Sequence, residues 1–137
     1  MNIYIISTGR NAGRFIVDCI ESVKNQTLLP TKHIIIDNNS DDETEKFLSS
    51  YKEEQNLQII KNKERKYKTE NFYEIVTKLE DEDIIVILDN DDKLNGIDII
   101  EKIYKIYQED NNLEFVYSNF KLDRKSTRLN SSHTDIS

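Results

Sequence analysis

The chain has 137 residues, enough for one domain around one core, and 36% hydrophobic against 33% charged content leaves that core small under a heavily solvated surface. A net charge of −7 turns the protein away from nucleic acid and anionic membranes, since both reward a basic surface. Its one cysteine excludes an intrachain disulfide, and no Cys/His cluster has the spacing of a zinc site.

Short apolar runs alternate with amphipathic stretches along the chain. Ile3 to Ile6, bounded by Ser7, Thr8 and Gly9, reads as a strand. From Phe15 to Lys24 the apolar residues Ile16, Cys19, Ile20 and Val23 recur at three- and four-residue spacing, the pattern of one buried helix face. Cys19 lies inside that stripe and reads as a small core residue rather than a reactive thiol. The run Ile34-Ile35-Ile36 is a second strand, and Asp37 to Asp42 behind it is a turn leading into a helix. Asp41 or Asp42 is the expected N-cap of that helix, with Phe47, Leu48 and Tyr51 facing inward.

Leu57 to Ile60 is a third strand, followed by a polar connection and a helix around Asn71 to Leu79 with Phe72, Ile75, Val76 and Leu79 on one face. Ile84 to Leu88, five apolar residues without alternation, is the clearest strand of all. A helix over Ile97 to Tyr107 and a last strand around Phe115 to Tyr117 complete the series. Strands apolar on both faces and separated by helices imply an α/β, Rossmann-like sandwich, its mainly parallel sheet covered by helices. Residues 1–122 are expected to form this domain. Residues 123–137 lack apolar content and period, and Lys125 to His133 reads as translated adaptor or vector sequence. The start of the chain has no basic segment ahead of a long apolar run, and no stretch is long enough to span a bilayer, so the expectation is a cytoplasmic protein without a transmembrane segment.

Ligands of open parallel sheets bind at the carboxyl ends of the strands, where strand order reverses. Three polar clusters follow strands here: Ser7-Thr8-Gly9-Arg10-Asn11, Asp37-Asn38-Asn39-Ser40 and Asp89-Asn90-Asp91-Asp92. All three therefore converge on one edge of the sheet. Three carboxylates within four residues repel one another, and a divalent cation relieves that repulsion. All-oxygen ligation suits Mg²⁺ or Mn²⁺. The alternative is a solvated Asp-rich turn.

A calcium loop fails, because counting from Asp91 places Lys93 and Lys102 where oxygen ligands are needed. A phosphate-accepting receiver domain fails too, because it needs an acidic pair where this chain has Ser7-Thr8. The basic run Lys61, Lys63, Arg65, Lys66, Lys68 reads as a solvated loop that could steer a diphosphate. Glu80 to Asp83 and His33 precede their strands, which puts both on the edge away from the site.

At these clusters the sequence resembles the family 2 glycosyltransferases, which have the GT-A fold. Cys19-Ile20-Glu21-Ser22-Val23-Lys24-Asn25-Gln26-Thr27 is similar to the family's "ESVxNQT" segment. Ile34 to Thr44 is similar to "VVDDGSTDDT", and Ile87 to Leu94 to "FLDSDDxL", which contains the DxD motif. The resemblance implies a glycosyltransferase that moves a sugar, with inversion, from a nucleotide diphosphate sugar, UDP- or dTDP-linked, to an acceptor hydroxyl on a saccharide, lipid or protein. It assigns nucleotide binding to Ser7, Thr8, Gly9, Arg10, Asp37, Asn38, Asn39, Ser40, Lys68 and Asp89. Metal binding falls to Asp89 and Asp91, with Asp91 the direct ligand.

Asn38 stands where a second acidic residue often reads uracil; an amide can still pair with a pyrimidine edge. Glu70-Asn71 stands where many members have "RN", and Lys68 could replace the missing charge. The family's catalytic base lies beyond the DxD strand. The expectation is therefore a truncated GT-A domain that holds a nucleotide but lacks the base for transfer. The rival reading is a non-catalytic nucleotide- or metal-binding α/β regulatory module.

Overall fold

A computed structural model describes residues 2–110. Four strands, β1 (Ile3–Gly9), β2 (Lys32–Asp37), β3 (Leu57–Lys61) and β4 (Ile84–Ile87), form one sheet in the order β3-β2-β1-β4. Every pairing is parallel. Four helices connect or follow them: α1 (Phe15–Lys24), α2 (Thr44–Ser49), α3 (Lys68–Val76) and α4 (Ile99–Glu109). The expected α/β class and parallel sheet are both present. The expected strand at Phe115 to Tyr117 and the tail from 123 lie outside the described residues.

Alternation along each strand sends side chains to two different layers. Ile3 and Ile5 of β1 meet Cys19 and Val23 of α1 and Ile100 and Ile103 of α4. Ile35 of β2 joins Ile16 and Ile20 of α1 and Leu48 of α2 on the same face. The opposite faces of these strands supply Ile6, Ile34 and Ile36, which pack on Ile75 of α3. Burying one such isoleucine is worth about 2–3 kcal/mol, so a charge at the fully buried Ile5 should unfold the domain.

The α1 prediction matches in both extent and buried face. Other boundaries shift for reasons the sheet supplies. Strand β1 runs on through Ser7, Thr8 and Gly9 because β2 offers Ile35, Ile36 and Asp37 as register partners. His33 lies within β2, paired to Ile5 and Leu57, and is buried rather than preceding its strand. Helix α3 starts at Lys68 because the Glu70 carboxylate accepts the Tyr67 N–H at 3.1 Å and closes the first turn. Its Val76 is exposed, while Phe72, Ile75 and Leu79 face the sheet as expected. Helix α4 begins at Ile99, and Ile97 stays on the surface.

The N-cap of α2 is Glu43, which makes no side-chain cap bond, so neither expected candidate holds that position. The Asp42 carboxylate accepts the Thr44 N–H at 2.9 Å at the start of α2, whereas Asp41 turns away to Arg10 and Asn11. The Glu80–Asp83 turn precedes β4, on the amino edge, as expected.

Candidate nucleotide and metal site

The chain adds strands outward from β1 to β3, then returns to lay β4 on the other side of β1. Connections after β1 and β3 therefore diverge, and the carboxyl ends of β1 and β4 flank the reversal point. A cleft of about 220 Å³ opens there, lined by Thr8, Gly9, Arg10, Ala12, Asn38, Lys68, Asn71, Asp89, Asn90 and Asp91.

Its floor is knitted by Asn90. The segment after β4 continues alongside β1, with Leu88 N–H donating to Ile6 O at 3.1 Å and Asn90 N–H to Thr8 O at 3.0 Å. The Asn90 side-chain NH₂ then reaches Ile36 O of β2 at 3.1 Å and Gly9 O at 3.4 Å. One amide thus ties together the ends of three strands. Gly9 permits this approach: a Cβ there would lie 3.0 Å from Asn90 Cβ.

One wall is the junction of the first two polar clusters. Arg10 donates to Asn39 O at 3.1 Å and to Asp41 at 2.7 Å, and Asn11 donates to Asp41 at 3.0 Å. These donors hold the Asp41 carboxyl below the usual range, the Asn11 and Arg10 hydrogen bonds being the main causes. Asn11 and Asn39 both adopt positive φ, at 57° and 59°, a conformation asparagine tolerates better than most residues.

The other wall comes from α3 and the loop before it. Asn38 engages both ends of its amide there: its oxygen accepts from Asn62 Nδ2 at 3.0 Å and Lys66 N at 2.9 Å, and its nitrogen donates to Lys66 O at 2.8 Å. Asn62 Nδ2 also reaches Asn71 Oδ1 at 2.9 Å. Lys66 and Lys61 pair with Glu74 and Glu45 on the surface, whereas Lys68 Nζ sits 2.6 Å from Asp89 Oδ1. Of the basic run, Lys68 is the member that lines the cleft.

Oxygens of Asp89, Asp91 and Asp92 lie within 4.8 Å of one another. Such a set, all hard oxygen donors, fits a hard divalent cation. Two buried polar atoms of the cleft lining, Asn71 Nδ2 and Asn90 Oδ1, have no partner among the described residues.

Not every residue expected at the site reaches the cleft. Ser7 is fully buried, and its hydroxyl bonds His33 Nε2 at 2.8 Å and approaches Cys19 Sγ at 3.7 Å. Asp37 is buried and accepts the Ser40 hydroxyl. Ser40 also accepts the Asn11 N–H at 2.9 Å, so it braces the wall from behind. Asn39 contributes its carbonyl to Arg10. Ala12, Asn71 and Asn90 line the cleft without having been anticipated as binding residues. Asn71 faced the "RN" segment in the sequence and Asn90 the centre of the DxD, but an amide between aspartates carries no pattern of its own.

The helix end that resembles "ESVxNQT" acts at a distance. Gln26 donates to Ser22 O at 3.0 Å and Gly96 O at 2.6 Å, and accepts the Ile100 N–H at 3.1 Å. Ser22 Oγ accepts the Leu94 N–H at 3.0 Å. Together they anchor the loop that follows the aspartates onto α1.

The family profile described as "Glycosyl transferase family 2" matches residues 4–135. The chain belongs to glycosyl transferase family 2. Solved structures share the fold. The crystal structure of S. aureus TarS superposes with a TM-score of 0.68 at 17% identity, covering 88% of this chain and 24% of that one. TarS 1–349 gives 0.68 at 17% identity, over 88% of this chain and 39% of its own length. The same TarS segment in complex with UDP-GlcNAc gives 0.66 at 18% identity, over 89% and 39%. At such identity these likenesses establish the fold. The chain spans between about a quarter and two fifths of the length of the TarS structures. A search of curated proteins finds no match. Among the described residues, no helix is long and apolar enough to cross a membrane.

Proposed function

We propose that this chain is the nucleotide-sugar-binding part of an inverting glycosyltransferase, one that transfers a sugar from a nucleoside diphosphate sugar to an acceptor hydroxyl. The observation that carries the reading is the convergence of Lys68, Arg10, Asn38, Asp89 and Asp91 on one cleft at the strand-order reversal of a family 2 fold. Thr8 would face the nucleoside and Lys68 the diphosphate, while Asn38, its amide engaged by Lys66 and Asn62, would shape the wall beside them. Asp89 and Asp91, with Asp92 beside them, would hold Mg²⁺ or Mn²⁺. When bound, such an ion neutralises charge on the departing diphosphate.

The protein's own residues contribute position and electrostatics. Asn90 fixes the height of the aspartates against β1 and β2, so the carboxylates need not reorganise as charge develops. Lys68 brings a positive charge to the same cleft, its Nζ 5.8 Å from the centroid of the Phe72 ring. In this reading residues 2–110 supply the donor side of the site, and the base that takes the acceptor proton is not among them. A uridine or thymidine donor is the first choice.

Calorimetric titration of the full chain with UDP, with and without Mn²⁺, tests the reading, alongside Asp91→Ala. Metal-dependent binding that disappears in the variant is the expected result. Nucleotide binding indifferent to metal and to Asp91 would favour a non-catalytic binding module. A folded protein that binds none of UDP, dTDP and GDP would overturn the proposal.

A further inference from the structure

We infer that the Lys68 ammonium is a built-in counter-cation that competes with the divalent ion for Asp89, and that a nucleoside diphosphate lifts this competition by drawing Lys68 onto its own oxygens. The inference rests on the nucleotide-sugar reading and extends it by coupling the two binding events.

Three observations carry it. The first is contact: Lys68 Nζ lies 2.6 Å from Asp89 Oδ1, and Asp89 shares a span of 4.8 Å with Asp91 and Asp92. A cation entering this cluster meets an ammonium already seated on one of its carboxylates. The second is exposure: the Lys68 side chain is 53% exposed, and among the described residues its polar partner is that one carboxylate, with the Phe72 ring centroid 5.8 Å from Nζ. Arg10, the other basic residue of the cleft, is held by Asp41 and Asn39. Among the described cleft residues, Lys68 is therefore the cation able to change partner at little cost.

The third observation is independent and points to an oxygen-rich occupant. Asn71 is 2% exposed and lines the cleft one turn along α3 from Lys68, and its Nδ2 has no partner among the described residues. Asn62 donates to its Oδ1, which fixes the amide with its NH₂ as the group left over. A buried donor without an acceptor is a standing desolvation cost, and an oxygen of a bound ligand would remove it. A diphosphate or ribose at that position also brings acceptors to Lys68. Once Lys68 shifts, Asp89 loses its monovalent partner and the cluster regains full attraction for a dication. Metal and nucleotide then assist one another, and by linkage the assistance is mutual.

The test is Mn²⁺ binding to the full chain, followed by the electron paramagnetic resonance of free Mn²⁺ at fixed pH and ionic strength. Without nucleotide, Lys68→Met should bind Mn²⁺ about fivefold more tightly than the unaltered protein, the scale expected for removing one charge near a partly solvated dication. Lys68→Arg, which keeps the charge, should match the unaltered protein. After correction for Mn²⁺ held by free UDP, added UDP should enhance Mn²⁺ binding less in Lys68→Met than in the other two. Circular dichroism checks that each variant is folded, and Lys68→Gln serves if the methionine variant is not.

Equal or weaker Mn²⁺ binding by the charge-free variant overturns the inference, as does absence of Mn²⁺ binding in all variants. If UDP still binds the unaltered protein in those cases, the nucleotide reading survives alone. Failure of UDP to bind at any Mn²⁺ concentration removes the reading beneath it.

Discussion

Lowering the pH from 7 to 4.5 should destabilise this domain through His33. The imidazole is 3% exposed in the middle of the sheet, between Ile5 and Leu57, with Ser7 Oγ 2.8 Å from Nε2. Burial alone pushes its pKa down from 6.5 to about 4. The unfolded chain therefore takes up a proton near pH 6.5, while the folded protein resists until about pH 4. His33 contributes its full stability above the unfolded value, and that contribution drains away as pH falls through the window between the two.

At about 1.36 kcal/mol per unit, the loss by pH 4.5 is between about 2 and 3 kcal/mol, a large fraction of a typical domain's stability. Urea unfolding at closely spaced pH values measures it. His33→Gln keeps an amide able to bond Ser7 but cannot titrate, so carboxylate effects cancel in the difference between the two proteins. The variant should be less stable at pH 7 and should lack the extra acid slope. Parallel slopes for both proteins, or a His33 proton resonance titrating near 6.5, would refute the reasoning.

Gly9→Ala should cost about 1–3 kcal/mol by forcing a Cβ against Asn90. Combined with Asn90→Gly the two losses should be less than additive in a urea double-mutant cycle, because the clash needs the Asn90 Cβ. Gln26→Leu should lower stability by about 2–3 kcal/mol, since it strips Gly96 O and the Ile100 N–H of their partner. Hydrogen exchange should then locate the loosened amides at the start of α4. Cys19 is fully buried and its thiol is pushed up to about 12, chiefly by desolvation. It should react with a disulfide reagent only as fast as the protein opens, and urea should restore ordinary thiol kinetics.

The fold was legible because its signals are local. The stripe Ile16, Cys19, Ile20, Val23 can be buried in only one way by a helix, and the run Ile34-Ile35-Ile36 needs cover on both faces. Three polar clusters at the ends of parallel strands also had to share an edge, so most of the cleft lining could be named from the sequence. Pairing is different, because it depends on partners far along the chain. Ser7 looked like loop chemistry until β2 extended alongside it, and alternation then turned its hydroxyl inward to His33. Asp37 was turned away from the cleft in the same manner, with Ser40 as its partner.

The roles of the amides were decided by tertiary structure alone. Asparagine can donate and accept in any surroundings, so nothing in Asn38, Asn71 or Asn90 says whether it meets a ligand or a neighbouring backbone. Contacts across 28 residues committed Asn38 to the backbone of Lys66, and contacts across 54 and 81 residues set Asn90 under the aspartates. The sequence by itself determined which strands and helices form and on which edge the charged groups gather, since periodicity and burial act over a few residues. Only the folded sheet decided which of those groups face the cleft and which brace it from behind, because that choice follows from register between strands the sequence keeps far apart.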